Sequence, residues 1–442
     1  MGGLSMKRIA LAISLAFGSA AVTAADLLEV FQMASESDPA LLGARATRDA
    51  NLEARPLAKS QLLPFVSLTG DASYTANDVR KSTFGSYRDN YGGAAAAVQV
   101  TQPIYRKDLL VQLEQADFQV EQAEIDFTIA QQDLIVRVTE AYFDVLSAQD
   151  TLTFTTANVK ATARQLEQAK QRFEVGLIAI TDVNEAQARY DQERANEIVA
   201  RNDLDDAMES LIEITGQPTG PLATLDPKLP LDRPSPDNAA DWTTTALENN
   251  PAIISAKYNA DIAKKEIERQ DAADSPALDL VGSYGVNRSN SDFPNDTNTG
   301  LVGVQLSLPL YTGGGVQAAT RQARYRYQAS QEQLEQQRRA VQTQVRNGYR
   351  GVLASISSVR ALEATQVSAQ SALAATEAGF DVGTRTLVDV LNRQSELFRA
   401  KRDLAVSRYG YVLNMLSLLQ ANGTLSPANI EAANRWLIEP KS

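Results

Sequence analysis

Residues 104–217 and 310–426 contain no proline. A proline inside a helix removes a backbone hydrogen bond and clashes with the preceding turn, so two such spans leave room for helices of unusual length. The spans also repeat one another. Phe173-Glu-Val-Gly176 matches Phe380-Asp-Val-Gly383, and at the same offset Asp182-Val183, Gln187, Arg201 and Gly216 match Asp389-Val390, Gln394, Arg408 and Gly423. Upstream, Val98-Gln-Val-Thr-Gln-Pro-Ile-Tyr105 matches Val304-Gln-Leu-Ser-Leu-Pro-Leu-Tyr311, and Asp38-Pro39 and Pro64 match Asn250-Pro251 and Pro276. Prolines, glycines and strand patterns kept in one order mean an internal duplication. The first unit spans 25–217 and the second 240–423, with a proline-rich linker at 218–239 and a short C-terminal segment at 424–442.

Each unit opens with a modest helix, about 27–60 or 240–272, and continues into two alternating segments. Val66, Leu68, Gly70, Ala72 and Tyr74 face Ser67, Thr69, Asp71 and Ser73, and residues 96–105, 278–287 and 301–311 repeat the pattern. Period-two alternation marks strands with one apolar and one polar face. About ten residues is the length of a tilted membrane-spanning strand. Tyr105 and Tyr311 stand at matching strand ends, where interfacial aromatics belong. Polar loops at 76–93 and 288–299 make two hairpins, and Asp71 and Asp279 read as carboxylates on the polar face. Four strands cannot close a barrel, and open edges cannot exist in lipid, so membrane strands of this number require several chains.

A helix then runs from about 107 to 173, or from 313 to 379. At ~1.5 Å per residue that is roughly 100 Å. Glycine-marked turns, Val175-Gly176-Leu177 and Val382-Gly383-Thr384, lead into second helices ending near 214 and 421. Leu152, Val159, Leu166 and Phe173 fall seven apart, a coiled-coil spacing. Such hairpins cannot bury their faces alone.

Composition removes whole classes of function. The chain has 42 Lys+Arg against 54 Asp+Glu, a net charge of −12 that opposes nucleic-acid binding. With no Cys and no His, thiol chemistry, Cys/His zinc sites and His-based triads are excluded. No P-loop motif occurs, and no nucleophile, base and orienting group form a catalytic set, so neither an enzyme nor a cofactor or metal site is expected. Lys7 and Arg8, the apolar run Ile9 to Phe17 and the small residues ending at Val22-Thr23-Ala24 form an export leader over 1–24. The mature chain then starts at Ala25 or Asp26, and without Cys it cannot carry a thioether-linked lipid.

Phe173-Glu-Val-Gly-Leu-Ile-Ala-Ile-Thr-Asp-Val183, Thr215-Gly216, Val382-Gly-Thr-Arg-Thr-Leu-Val-Asp-Val390 and Ser307-Leu-Pro-Leu-Tyr311 together resemble the TolC family of outer-membrane efflux and secretion ducts. The resemblance covers the mature chain and is closest to the TolC branch itself, as the absence of Cys fits. It implies a mainly α protein with membrane β: a homotrimer whose 12-stranded outer-membrane barrel, four strands per protomer, continues into a coiled-coil periplasmic barrel. It further implies a passive exit duct, docked through a periplasmic adaptor onto an inner-membrane pump of RND, ABC or MFS type.

Position by position, the resemblance marks Val175, Gly176, Leu177, Val382, Gly383 and Thr384 as the adaptor-docking tips. It marks Arg385, Gln165, Thr181, Asp182 and Phe380 as a closed-state lock, and Asp389 as the carboxylate of a pore constriction. Two departures stand out. Asn392 occupies a position where this branch usually has a second acid, and Phe380 one where a Tyr hydroxyl usually bonds to the residue matched by Asp182. The rival reading is an exported periplasmic coiled-coil adaptor or scaffold, with one hairpin between small β-domains and no membrane strands.

Overall fold

In a computed structural model the described residues are 24–81, 85–291 and 296–439. The expected leader lies outside them up to residue 23. Order along the chain is helices α1 (Leu27–Ser37), α2 (Pro39–Leu52) and α3 (Ala54–Ser60), strands β1 (Phe65–Val79) and β2 (Tyr87–Tyr105), then helices α4 (Lys107–Glu174) and α5 (Ile180–Thr215). A short strand β3 (Thr224–Leu225) precedes α6 (Ala239–Asn249), α7 (Pro251–Asp271), β4 (Ala277–Ser289) and β5 (Thr297–Ser307). Helices α8 (Gly315–Asp381), α9 (Leu387–Asn422) and α10 (Pro427–Asn434) and strand β6 (Leu437–Ile438) complete it. The two long helices measure 68 and 67 residues, and each is followed by one of 36.

The opening helices are interrupted where one helix apiece was expected. Asp38 and Asn250 adopt extended backbone and cap the next helix through their side chains, each followed by proline at the first helical position. The breaks let the chain turn and let short helices abut the long hairpins end to end. Ser37 Oγ donates to Thr215 O at 2.7 Å where α5 meets the break between α1 and α2. Asn250 Nδ2 donates to Ala421 O at 2.8 Å where α9 meets α7. Helices α4 and α8 run past both joints, so the lower body is ordered α5–α4–α9–α8 and the upper one α2/α3–α4–α7–α8.

Strands β1-β2-β4-β5 form one antiparallel sheet. Its register lines up Leu68, Val98 and Tyr284, and also Val66, Val100, Gly282 and Val302, so even-numbered apolar residues share a face across all four strands. Ser67, Gln99 and Ser283 align on the other face. The hairpins reach further than expected, because β1 continues to Val79, β2 starts at Tyr87, β4 ends at Ser289 and β5 starts at Thr297. At the other end β5 stops at Ser307, which leaves Tyr311 89 % exposed beyond the strand, while Tyr105 closes β2. Pro309 has no N–H to continue a ladder, and Gly313 and Gly314 then take positive φ to start α8. Asp279 is not a free carboxylate of the polar face either. It is 7 % exposed and takes a bidentate bond from Arg106, at 3.0 and 2.6 Å, at the junction of sheet and helices.

The main core lies around the end-to-end joints, where Tyr142, Phe143, Tyr409, Tyr411 and Trp242 pack with Leu27, Leu134, Val345 and Leu418. Tyr142 OH donates to Ala223 O at 2.7 Å and Tyr411 OH to Asp232 O at 3.0 Å, so each long hairpin grips a piece of the proline-rich segment. That segment and the C-terminal one, both expected from the resemblance to form an equatorial region, join through the β3–β6 ladder and α10. Of the seven-spaced row on α4, Leu166 is 6 % exposed but Phe173, at the helix end, is 42 % exposed.

Candidate functional site

At the far end from the sheet, both hairpins reverse through the same turn. Leu177 N donates to Arg172 O and Gly176 N to Phe173 O, both at 2.9 Å. In the second turn Thr384 N donates to Gly379 O at 2.8 Å and Gly383 N to Phe380 O at 3.0 Å. These paired bonds close a helix when one residue adopts the left-handed region, which Gly176 (φ 76°) and Gly383 (φ 79°) do. Exposed apolar side chains crown the turns: Val175 70 %, Leu177 73 % and Val382 75 %. Thr384 is exposed beside them.

The expected lock residues have separate tasks within one protomer. Asp182 Oδ2 accepts from Ala179 N at 3.2 Å, and Asp389 Oδ2 accepts from Thr386 N at 3.0 Å and Thr386 Oγ1 at 2.9 Å. Each carboxylate therefore caps the helix that follows its turn. The Thr386 backbone bond, then its hydroxyl, hold the Asp389 carboxyl below the ordinary value of 3.8, with Arg385 and Arg393 adding to the effect. Thr181 and Asn392 are exposed and make no side-chain hydrogen bond among the described residues. Arg385 is exposed too, forms no ion pair among the described residues, and lays its stem across Gly379. Gln165 Oε1 is buried without a partner.

Phe380 joins the tip together. It packs against Leu166, Ala186, Leu387 and Leu391 on one side and against Leu373, Val390 and Leu397 on the other. The Arg172 guanidinium lies 4.4 Å from the Phe380 ring centroid and 3.3 Å from Asp381 Oδ1. Arg172, which sequence reasoning passed over, thus clasps the α4–α5 hairpin to the α8–α9 hairpin by charge and ring contact together. Its signal was available only in the opposite charges of Arg172 and Asp381, and nothing in the sequence says that the two tips touch. Among the described residues no group of carboxylates is placed to hold a metal ion.

The chain matches the model of a family described as outer membrane efflux protein, over residues 30–217 and 242–424. It is similar to outer membrane protein TolC of Vibrio cholerae serotype O1, 40 % identical over 98 % of both chains. It is also similar to the alkaline protease secretion protein AprF of Pseudomonas aeruginosa, 31 % identical over 92 % of this chain and 87 % of that one. Among solved structures, the Campylobacter jejuni CmeC outer membrane channel shares the fold at a TM-score of 0.78 with 15 % identity, covering 93 % of this chain and 90 % of that one.

Proposed function

The chain belongs to the outer membrane efflux protein family, and from that premise we propose that three copies build one exit duct, a 12-stranded barrel in the outer membrane continued by a periplasmic tunnel of helices. It is a channel protein of the outer membrane with a large periplasmic portion, a transport duct and not an enzyme. The observation that carries the reading is the sheet. It has an apolar face and, among the described residues, two unpaired edges, β1 and β5. Unpaired backbone groups in hydrocarbon cost several kcal/mol each, so such a sheet is viable in lipid only when neighbouring copies close the ring.

In this reading the duct is passive. An inner-membrane pump of RND, ABC or MFS type supplies energy, and a periplasmic adaptor docks at the apolar crowns Val175, Leu177 and Val382. Small molecules and secreted proteins both fit the family, since relatives include a TolC and a protease secretion protein. The resting tip is closed. Arg385, which forms no ion pair among the described residues, reaches Gln165, Thr181 or Asp182 of a neighbour, and opening untwists the α8–α9 hairpin away from the α4–α5 hairpin. A guanidinium facing a carboxylate or carbonyl makes a directional, charge-assisted bond suited to such a lock.

Single-channel conductance in a planar bilayer tests both statements. Wild type should show a small, cation-selective conductance, and Arg385→Ala one several times larger. A wide wild-type pore unchanged by the substitution would keep the duct and remove the gate. No channels from folded oligomer would return the protein to the class of periplasmic scaffolds.

A further inference from the structure

Above the tip, the two hairpins of the chain meet where α4 and α5 face α9. The contact is apolar at its foot, where Leu166, Ala169 and Ala186 pack with Leu387 and Leu391. Higher up it turns polar. Gln394 Nε2 donates to Asn158 Oδ1 at 3.0 Å, and both residues are 5 % exposed. Beside them Arg189 Nη2 donates to Ser395 Oγ at 2.5 Å. Asn158, Arg189 and Ser395, with Glu193 and Asn196, line a cavity of about 430 Å³ between α4, α5 and α9. Walls this polar around a space this large admit water.

The sequence repeat alone does not place this pair. Gln187 matches Gln394, yet it bonds to Asp191 on its own helix. The position that matches Asn158 is Thr365, which is exposed and bonds to Ala361 O of its own helix. A buried amide pair therefore stands at one of two equivalent places, the one where the hairpins lie against each other. Two displacements act on it differently. Sliding α9 along α4 by one turn, ~5.4 Å, would bring Leu391 or Leu397 opposite Asn158 and leave both amides buried against carbon. Parting the hairpins sideways would instead open the amides to the cavity, where water replaces the lost bond.

We propose that Asn158 and Gln394 are a register pair, positioning residues that hold the two hairpins in their resting alignment, let them part into a hydrated cavity and return them to the same alignment. A single buried polar contact fixes register in coiled coils in the same way, at a cost in stability. The inference rests on the gated duct and adds what aligns its moving parts.

Asn158→Leu, Gln394→Leu, the two together, and the exchanged pair Asn158→Gln with Gln394→Asn are compared with wild type in planar bilayers and by thermal unfolding in detergent. Each single variant leaves one amide buried and unpaired, and should raise the open fraction severalfold. The double leucine variant puts an apolar contact there, which parting must expose to water. Its open fraction should fall below that of wild type and its melting temperature should rise. The exchanged pair should restore wild-type gating. Single and double variants that shift the open fraction in the same direction overturn the register pair and leave the duct. Melting temperatures that change while the open fraction stays constant do the same, since they mark a merely structural contact. Folded protein that forms no channels overturns the duct and the pair together.

Discussion

Arg172 and Gly379 occupy the same position in the two tip turns, each giving its carbonyl to the residue five further on. The difference between them builds the tip. The arginine spans to the other hairpin and covers Phe380, while the bare Cα of glycine makes room for the Arg385 stem, whose Cγ would lie 2.8 Å from any Cβ added at Gly379. The guanidinium and ring, with a partly exposed ion pair, contribute about 1 kcal/mol. Arg172→Ala should therefore raise the open fraction in bilayer recordings about fivefold, and Arg172→Lys, which lacks the planar stack, should recover only part of the closure. The neighbouring carboxylate gives a second expectation. Asp389 has a folded pKa below 3.8, so its charge persists as pH falls to that value; on the proposal that it lines a pore constriction, cation selectivity should survive there. Its capping contribution is likewise present above the unfolded value and lost only as pH falls through the lower, folded one. Asn392, one turn on, adds no charge, so Asn392→Asp should tighten block by hexamminecobalt about tenfold, or ~1.4 kcal/mol. Unchanged block would overturn the proposal that position 392 faces a pore constriction.

At the scale of elements, the end-to-end joints matter most, because α2 with α3, and α7, must continue the lines of the two hairpins. The joints are built alike but not equally tight. At Gly423 (φ 78°) a Cβ would fall 2.5 Å from Asn249 O, a backbone atom of the adjoining turn. At Gly216 (φ 70°) it would meet only the Ser37 side chain, at 3.1 Å. Both positions need the left-handed region, but one also faces backbone that cannot step aside. Gly423→Ala should cost at least about 2 kcal/mol and Gly216→Ala about 1, measured by thermal unfolding in detergent. Equal losses would mean that φ alone sets the cost. The Arg106–Asp279 pair performs a similar service at the other end, fixing where the sheet stops and the helices begin.

At the scale of the whole molecule, one protomer is an incomplete object. Among the described residues its sheet has two open edges, β1 and β5, and Arg385 forms no ion pair. The main core lies around the joints, where Tyr142 and Tyr411 hold the segments between the long elements, and smaller apolar clusters pack at the tip around Phe380.

What the sequence alone determined was everything governed by local periodicity. Proline-free spans set the long helices, two-residue alternation set the strands and their apolar face, and the glycines at 176 and 383 set the turns, because each depends on a residue and its near neighbours. What only the tertiary structure decided was everything that depends on which distant segments touch. The β3–β6 ladder, the burial of Asp279 against Arg106 and the clasp of Arg172 on Phe380 and Asp381 all join residues far apart in sequence. No local pattern encodes them, since such partners are chosen by how rigid helices nearly 100 Å long line up side by side.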